Sequence, residues 1–458
     1  MLFWKGLRMG KLFGTDGMRG KANEYPITPE VAVRLGKAIA RVFGAKGHGS
    51  ARAVLGKDTR LSGYMIETAL TSGLVSMGMD VLEIGPLPTP AVAHLAKSMN
   101  ADCGIMITAS HNPSDDNGIK IFDKNGFKLP DAIEAEIEEQ ILGGEIDSAH
   151  IGTALLGKAY RLDDAAGRYI EFAKASIDNH SLKGLKIVLD CANGAAYRIA
   201  PPIFRELGAE VVVVAAEPDG YNINLGCGAT DTAGLGELAL EHGADAGIAL
   251  DGDADRVIFR DGRGSEVNGD KIIAMCALDY KDSGRLKGGA VAVTSMTNLG
   301  FHKAMEEAGI GVVATDVGDR YVIEAMRSKG LNLGGEQSGH VIFMDYVTTG
   351  DGIITALHVL KLMLDRGESL AELAERVPVF PQKLESVRVA RKIPVEETEL
   401  LREAIKNAET ALGSEGRVVA RYSGTENKFR VLVEASDETL VEEWIEKIAE
   451  AAERELGA

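Results

Sequence analysis

The sequence predicts an α/β protein of four domains, three similar mixed-sheet α/β/α units followed by a small α+β unit. Three observations lead there. The 458 residues amount to about three or four domains at roughly 100–150 residues each. A strand–helix–strand pattern recurs three times before residue 375. Beyond it the pattern changes, and strands follow one another directly.

The first unit opens with the β-branched run at Ala53, passes through a helical stretch and returns as a buried strand at 78–84. The second opens at Lys186 and closes at 208–214. The third opens at Ala290 and closes at 309–314. Each such βαβ crossover favours a parallel or mixed sheet covered by helices. Three of them mean three sheets rather than one, because a single core stops growing near about 250–300 residues. In the last unit, 385–389 reads as a strand and 396–412 as a helix. Residues 416–421 and 429–433 read as two strands joined by a turn. An amphipathic helix starts near Glu438, with Leu440, Val441, Trp444, Ile445 and Ile448 at helical spacing. The expected units are therefore 1–155, 156–260, 261–375 and 376–458.

Lys and Arg number 50 against 68 Asp and Glu, a formal net charge of −18. That disfavours a nucleic-acid surface, which needs clustered cations, but it allows small anionic substrates in a locally positive pocket. The four cysteines, Cys103, Cys191, Cys227 and Cys276, form no CxxC pair, which argues against a zinc ribbon and for a reducing compartment. The longest strongly apolar run, 211–216, is far short of a membrane span. The first eight residues are too short for a signal peptide, and Met9 is an alternative start to Met1. The expectation is a soluble cytoplasmic protein.

The sharpest chemical feature is Asp251-Gly252-Asp253-Ala254-Asp255-Arg256, which follows the buried run 246–250. Carboxylates at alternate loop positions converge their oxygens on one point. Unrelieved, three charges about 4 Å apart form repulsive pairs costing roughly 4 kcal/mol each at an effective dielectric near 20. A divalent cation removes that cost, and all-oxygen ligation suits Mg²⁺ or Ca²⁺ rather than zinc. An EF-hand is excluded, since Arg256 and Gly262 stand where its Gly and Glu belong.

Three further segments follow apolar runs. Thr108-Ala109-Ser110-His111-Asn112-Pro113 lies just beyond a predicted strand, where a serine is exposed and held by the scaffold. Lys120 begins the next strand. Glu336 and Ser338 lie in a Gly-flanked polar loop, 334–340, suited to sugar hydroxyls. Between the last two strands, Arg421, Ser423, Gly424 and Thr425, with Arg430 on the second strand, supply the guanidiniums, hydroxyls and open backbone that a phosphate dianion needs. The glycine-rich loop 14–20 lacks the Lys-Ser/Thr of a P-loop.

Taken together and in this order, the motifs closely resemble the α-D-phosphohexomutase family over essentially the whole chain. The resemblance implies four domains around a central cleft and a phosphoryl group carried on Ser110. It implies one Mg²⁺ held by Asp251, Asp253, Asp255 and a Ser110 phosphate oxygen. It implies sugar contacts from Glu336, Ser338 and His340, and phosphate contacts from Arg421, Ser423, Gly424, Thr425 and Arg430. Arg19, His111, Lys120 and Arg256 would line the reacting centre, with Lys120 and His111 both open as general acid/base. Stretches at 13–20, 222–231, 296–300 and 317–322, together with Gln337, resemble the amino-sugar branch of the family. Phosphomannomutase/phosphoglucomutase members more often carry Met at the Gln337 position. The implied reaction interconverts glucosamine 6-phosphate and glucosamine 1-phosphate through a 1,6-bisphosphate, which also acts as activator, and supplies UDP-N-acetylglucosamine synthesis. The alternatives are mannose or glucose phosphates on the same fold, a metal-dependent sugar phosphatase, or a sugar-phosphate sensor without turnover. The implied partners are small sugar phosphates, with neither nucleic acid nor membrane; a homodimer is left open. One departure stands out: Asn427 and Lys428 follow Glu426 where the family usually has Pro, and Tyr422 stands where Pro is frequent, so the phosphate loop is expected to be looser.

Overall fold

Each repeated pattern builds one sheet. In the computed structural model, which describes residues 12–14, 16–44, 51–423 and 427–457, the first sheet has six strands. Their order is Met18–Lys21, Asp116–Asp123, Cys103–Ile107, Arg52–Lys57, Asp80–Pro86 and Ala159–Arg161. The last four run parallel, while Asp116–Asp123 is antiparallel to Cys103–Ile107. The second sheet orders Glu266–Val267, Val257–Asp261, Ala246–Leu250, Lys186–Asp190 and Glu210–Val214. The third orders Gly311–Thr315, Ala290–Thr294, Leu333–Gly335 and Val341–Phe343. In both, a parallel set again ends in an antiparallel partner: Val257–Asp261 against Ala246–Leu250, and Val341–Phe343 against Leu333–Gly335.

Strands buried on both faces explain the near-continuous apolar runs; Cys103–Ile107 and Ala246–Leu250 are buried at every residue. The exposed strand Ala159–Arg161 adds an edge to the first sheet, which thus reaches past residue 155. Its three residues lack the apolar pattern of a strand, and only pairing with Asp80–Pro86 makes them one.

One hydrophobic core runs continuously from Val54 and Phe122 through Tyr169, Ile187 and Phe259 to Phe343 and Leu360, so the first three units are packed together. The C-terminal unit has its own core of Val387, Leu401, Phe429, Val431, Ile445 and Ile448. Its antiparallel sheet orders Gln382–Arg388, Lys428–Ala435 and Gly416–Tyr422, covered by Leu400–Leu412 and Glu438–Leu456. The helix expected over 396–412 is interrupted. A 3₁₀ turn, Val395–Glu397, ends at extended Thr398, whose hydroxyl donates to the Val395 carbonyl at 2.6 Å, and the α-helix starts afresh at Leu400. The side chain of Thr398 thus competes with the backbone ladder for a carbonyl.

Candidate active site

The three sheets place their polar loops at equivalent points. Each loop joins a buried parallel strand to its antiparallel neighbour: 108–115 in the first sheet, 251–256 in the second, 336–340 in the third. Ser110, buried, stands in the first of these with φ +53°, a left-handed conformation that a non-glycine residue adopts only when its surroundings fix it. Its hydroxyl donates to Asp251 at 2.7 Å and lies 3.3 Å from His111 Nδ1. Gly252 permits the close approach, since a Cβ there would meet the Ser110 carbonyl at 2.6 Å.

Asp251, Asp253 and Asp255 converge, with one oxygen of each within 4.8 Å of the others, all buried. Burial, then Asp253 and Asp255, push the Asp251 carboxyl well above the usual range. Lys120 donates to Asp253 at 2.9 Å and to Asp255 at 3.0 Å. Burial opposes its charge, yet Asp16, Asp253 and Asp255 together hold its pKa well above that of a free lysine. Thr89 donates its hydroxyl to Asp253 at 2.5 Å. The second oxygens, Asp253 Oδ1 and Asp255 Oδ1, are buried with no hydrogen-bond partner. Unsatisfied carboxylate oxygens beside a repelled third carboxylate fit a hard divalent cation, because buried acceptors without partners are costly. Burial, then Arg256 and Arg19, lower the His111 pKa to about 4.

Beside this centre lies a cleft of about 490 Å³ walled by the first, second and third units, among them Asp16, Arg19, Lys128, Asp255, Arg256, Glu336 and His340. That is ample for a small polar ligand. Arg19 and Lys128 both pair with Asp16, and Lys128 also bonds Asp319 at 2.6 Å. The Gly350 amide lies 3.0 Å from His340 Nε2, and Nδ1 lies 3.7 Å from Asp255 Oδ1; burial opposes the ring's charge, yet Asp255 and then Asp319 raise its pKa. Glu336 accepts from the Gly318 amide at 3.1 Å, and Ser338 lies 3.4 Å from its other oxygen, at the exposed rim. Gln337 points away from the cleft, donating to Asp270 at 3.1 Å.

Among the described residues, Arg421, Ser423 and Arg430 are not among the walls of that cleft. Arg421 and Arg430 stand directly opposite one another across the antiparallel strands. Burial and then Arg430 lower the Arg421 pKa, while Asp316 of the third unit raises it, so Arg421 lies toward the third unit. Buried Ser423 is tied by its amide to the Lys428 carbonyl and by its carbonyl to Lys392 Nζ. Gly424 and Thr425 lie outside the described residues. Sequence reasoning missed Asp16, Lys128, Asp319 and Thr89. Asp16 lies in the glycine-rich loop and Asp319 in the stretch 317–322; Lys128 and Thr89 carry no local signal.

Family models of the phosphoglucomutase/phosphomannomutase α/β/α domains I, II and III match residues 10–146, 167–264 and 268–380, and the model of the C-terminal domain matches 384–451. The chain belongs to the phosphoglucomutase/phosphomannomutase family. Within this family it is 52% identical to a phosphoglucosamine mutase of Geotalea daltonii over 98% of this chain and 99% of that one. It is 51% identical to that of Paracoccus denitrificans over 97% and 99%. A phosphoglucomutase/phosphomannomutase family protein of Burkholderia thailandensis shares the fold with TM-score 0.79 at 23% identity, covering 96% of this chain and 97% of that one. The N-acetylphosphoglucosamine mutase of Aspergillus fumigatus, solved with GlcNAc-6P and magnesium, does so with TM-score 0.65 at 19% identity over 98% and 96%. Among the described residues no helix is long and apolar enough to cross a membrane.

Proposed function

We propose that the chain interconverts glucosamine 6-phosphate and glucosamine 1-phosphate through a phosphoserine at Ser110 and a 1,6-bisphosphate intermediate. The observation that carries this reading is the Ser110 hydroxyl bonded to Asp251 at 2.7 Å, across a domain boundary. The amino-sugar specificity rests on full-length identity of about half to phosphoglucosamine mutases.

Asp251, Asp253 and Asp255 would hold Mg²⁺, with a Ser110 phosphate oxygen completing the set. Bound there, the ion would supply charge stabilisation at the transferring phosphoryl group. Phosphoryl transfer is otherwise positioning and electrostatics. The phosphoserine brings about −1.5 to −2, so Lys120, Arg19 and Arg256 serve to balance an anionic centre. Lys120 has its protons committed to Asp253 and Asp255, which suits a charge stabiliser. His111, within reach of Ser110 Oγ, suits a proton relay to that oxygen.

In the first half-reaction the phosphorus–Oγ bond of phosphoserine breaks and a bond to the sugar 1-oxygen forms. The hydroxyl proton passes to the released Ser110 Oγ, with His111 placed to relay it. After the bisphosphate turns over, its 6-phosphoryl passes to Ser110 Oγ, and the serine proton passes to the departing 6-oxygen. Glu336, Ser338 and His340 would bind the sugar. Arg421, Ser423, Gly424, Thr425 and Arg430 would hold the phosphate that is not transferring.

A coupled assay with glucosamine 6-phosphate, Mg²⁺ and a trace of hexosamine or hexose 1,6-bisphosphate as activator tests the reading. We expect isomerisation without release of inorganic phosphate, and higher kcat/KM than for glucose or mannose phosphates. Ser110→Ala should abolish turnover and the added phosphoryl mass on this peptide. An active Ser110→Ala enzyme would overturn the mechanism.

A further inference from the structure

Behind Ser110 lies a charged group the reaction itself does not need. Arg60 is fully buried, and so is Asp58 beside it. Such a buried pair is weak evidence for stability, because desolvation offsets its attraction. What the pair touches is more telling. The Arg60 guanidinium makes four hydrogen bonds: to the carbonyls of Ser110 at 3.0 Å, Asn112 at 2.6 Å and Asp116 at 2.9 Å, and to Asp58 at 3.0 Å. The same Asp58 oxygen accepts the Thr108 hydroxyl at 2.6 Å, and Thr108 Oγ1 in turn accepts the Ser110 amide at 2.9 Å.

These bonds close a ring from the Ser110 amide through Thr108, Asp58 and Arg60 to the Ser110 carbonyl. Both peptide units flanking Ser110 are therefore pinned, and a left-handed residue leaves that conformation only by rotating one of them. From the second unit, Asn224 Nδ2 spans the same two carbonyls, 3.0 Å from Ser110 and 3.2 Å from Asn112. The Ser110 carbonyl thus has both of its lone pairs engaged, one by each domain.

We propose that Arg60 and Asn224 are positioning residues for phosphoryl transfer, holding Ser110 in its left-handed conformation so that the phosphoryl group is aimed at the sugar. The inference rests on Ser110 being the phosphorylated residue. Neither side chain touches substrate in this scheme, so their loss should lower kcat and leave KM nearly unchanged.

The test uses two variants of the whole chain. Asn224→Ala removes one arm from a partly exposed loop. The double variant Asp58→Asn with Arg60→Met opens the ring without stranding a buried charge. We expect kcat to fall about tenfold in the first and about 100-fold in the second, since a displacement near 1 Å costs about that much. KM should stay within about twofold, and the ³¹P resonance of phosphoserine should shift or broaden. Unchanged kcat per folded molecule, even with a lowered Tm, would show a merely structural role and overturn the proposal. So would a raised KM at unchanged kcat. Wild-type protein that neither isomerises glucosamine 6-phosphate nor carries phosphoserine would refute the proposed function instead, a distinct outcome.

Discussion

Replacing Arg421 separates stability from function in opposite directions. Arg421 faces Arg430 across the last hairpin, and like charges directly opposite on a sheet destabilise it. Arg421→Met keeps the aliphatic stem and removes one charge, so the empty protein should become more stable by about 0.2–1 kcal/mol. The same change removes a charged hydrogen-bond donor from the proposed phosphate anchor, a loss of about 1.5–3 kcal/mol. At about 1.4 kcal/mol per decade, kcat/KM should fall roughly 10- to 150-fold. Because the intermediate turns over, one anchor serves both phosphates, and the forward and reverse reactions should suffer alike. Denaturant unfolding supplies the stability, and coupled assays in both directions supply the kinetics. Normal kinetics in both directions, or an activity loss that merely tracks a loss of stability, would refute this placing of the anchor.

Asp253→Asn preserves shape but removes one of the three converging charges, so Mg²⁺ should bind more weakly by calorimetry and turnover should fall by orders of magnitude; rescue by zinc alone would contradict an all-oxygen site. Asp351, whose oxygens accept the Tyr169 hydroxyl at 2.9 and 2.8 Å, is pushed by burial from 3.8 to about 6. A carboxyl with a raised folded pKa contributes its stability below the unfolded value and loses it as pH climbs through the folded one. Wild type should therefore lose about 3 kcal/mol relative to Asp351→Asn between pH 3.8 and somewhat above 6, read as the difference between their unfolding curves; parallel curves would refute it.

The parts of this molecule that were legible in the sequence are those whose signal is local. The β-branched runs at Lys186 and Ala290 and the alternate aspartates each declare themselves within a few residues. Arg60 does not: its significance lies in three carbonyls that fold beside it, and nothing in its neighbours distinguishes it from a surface arginine. Lys128 is similar, because its partners Asp16 and Asp319 lie 112 and 191 positions away. Thr398 falls within the stretch 396–412 expected as one helix, and the side-chain bond that interrupts it is not a matter of period. Gln337 is an instructive case, since it carries a family resemblance in the sugar loop yet reaches into the junction with Asp270 rather than the cleft.

The equivalence of the loops in the three sheets gives the site its logic. Each parallel set ends by turning back as an antiparallel strand, and the turn projects polar residues beyond a fully buried strand. A sheet edge offers unpaired backbone, and the antiparallel strand closes that edge while leaving the turn free to vary. In the first sheet the turn holds a strained serine, in the second three carboxylates, in the third a carboxylate and an imidazole. The last unit has no parallel set among the described residues; its antiparallel hairpin carries two opposed arginines instead. Contacts between these turns are polar and cross-domain: Ser110 to Asp251, Lys120 to Asp253, His340 toward Asp255. Nothing within a single unit would hold these charges so close. The repulsion among Asp251, Asp253 and Asp255 is offset by Lys120 from the first unit and, in the proposed reaction, by Mg²⁺, so the candidate centre is complete only where the units meet.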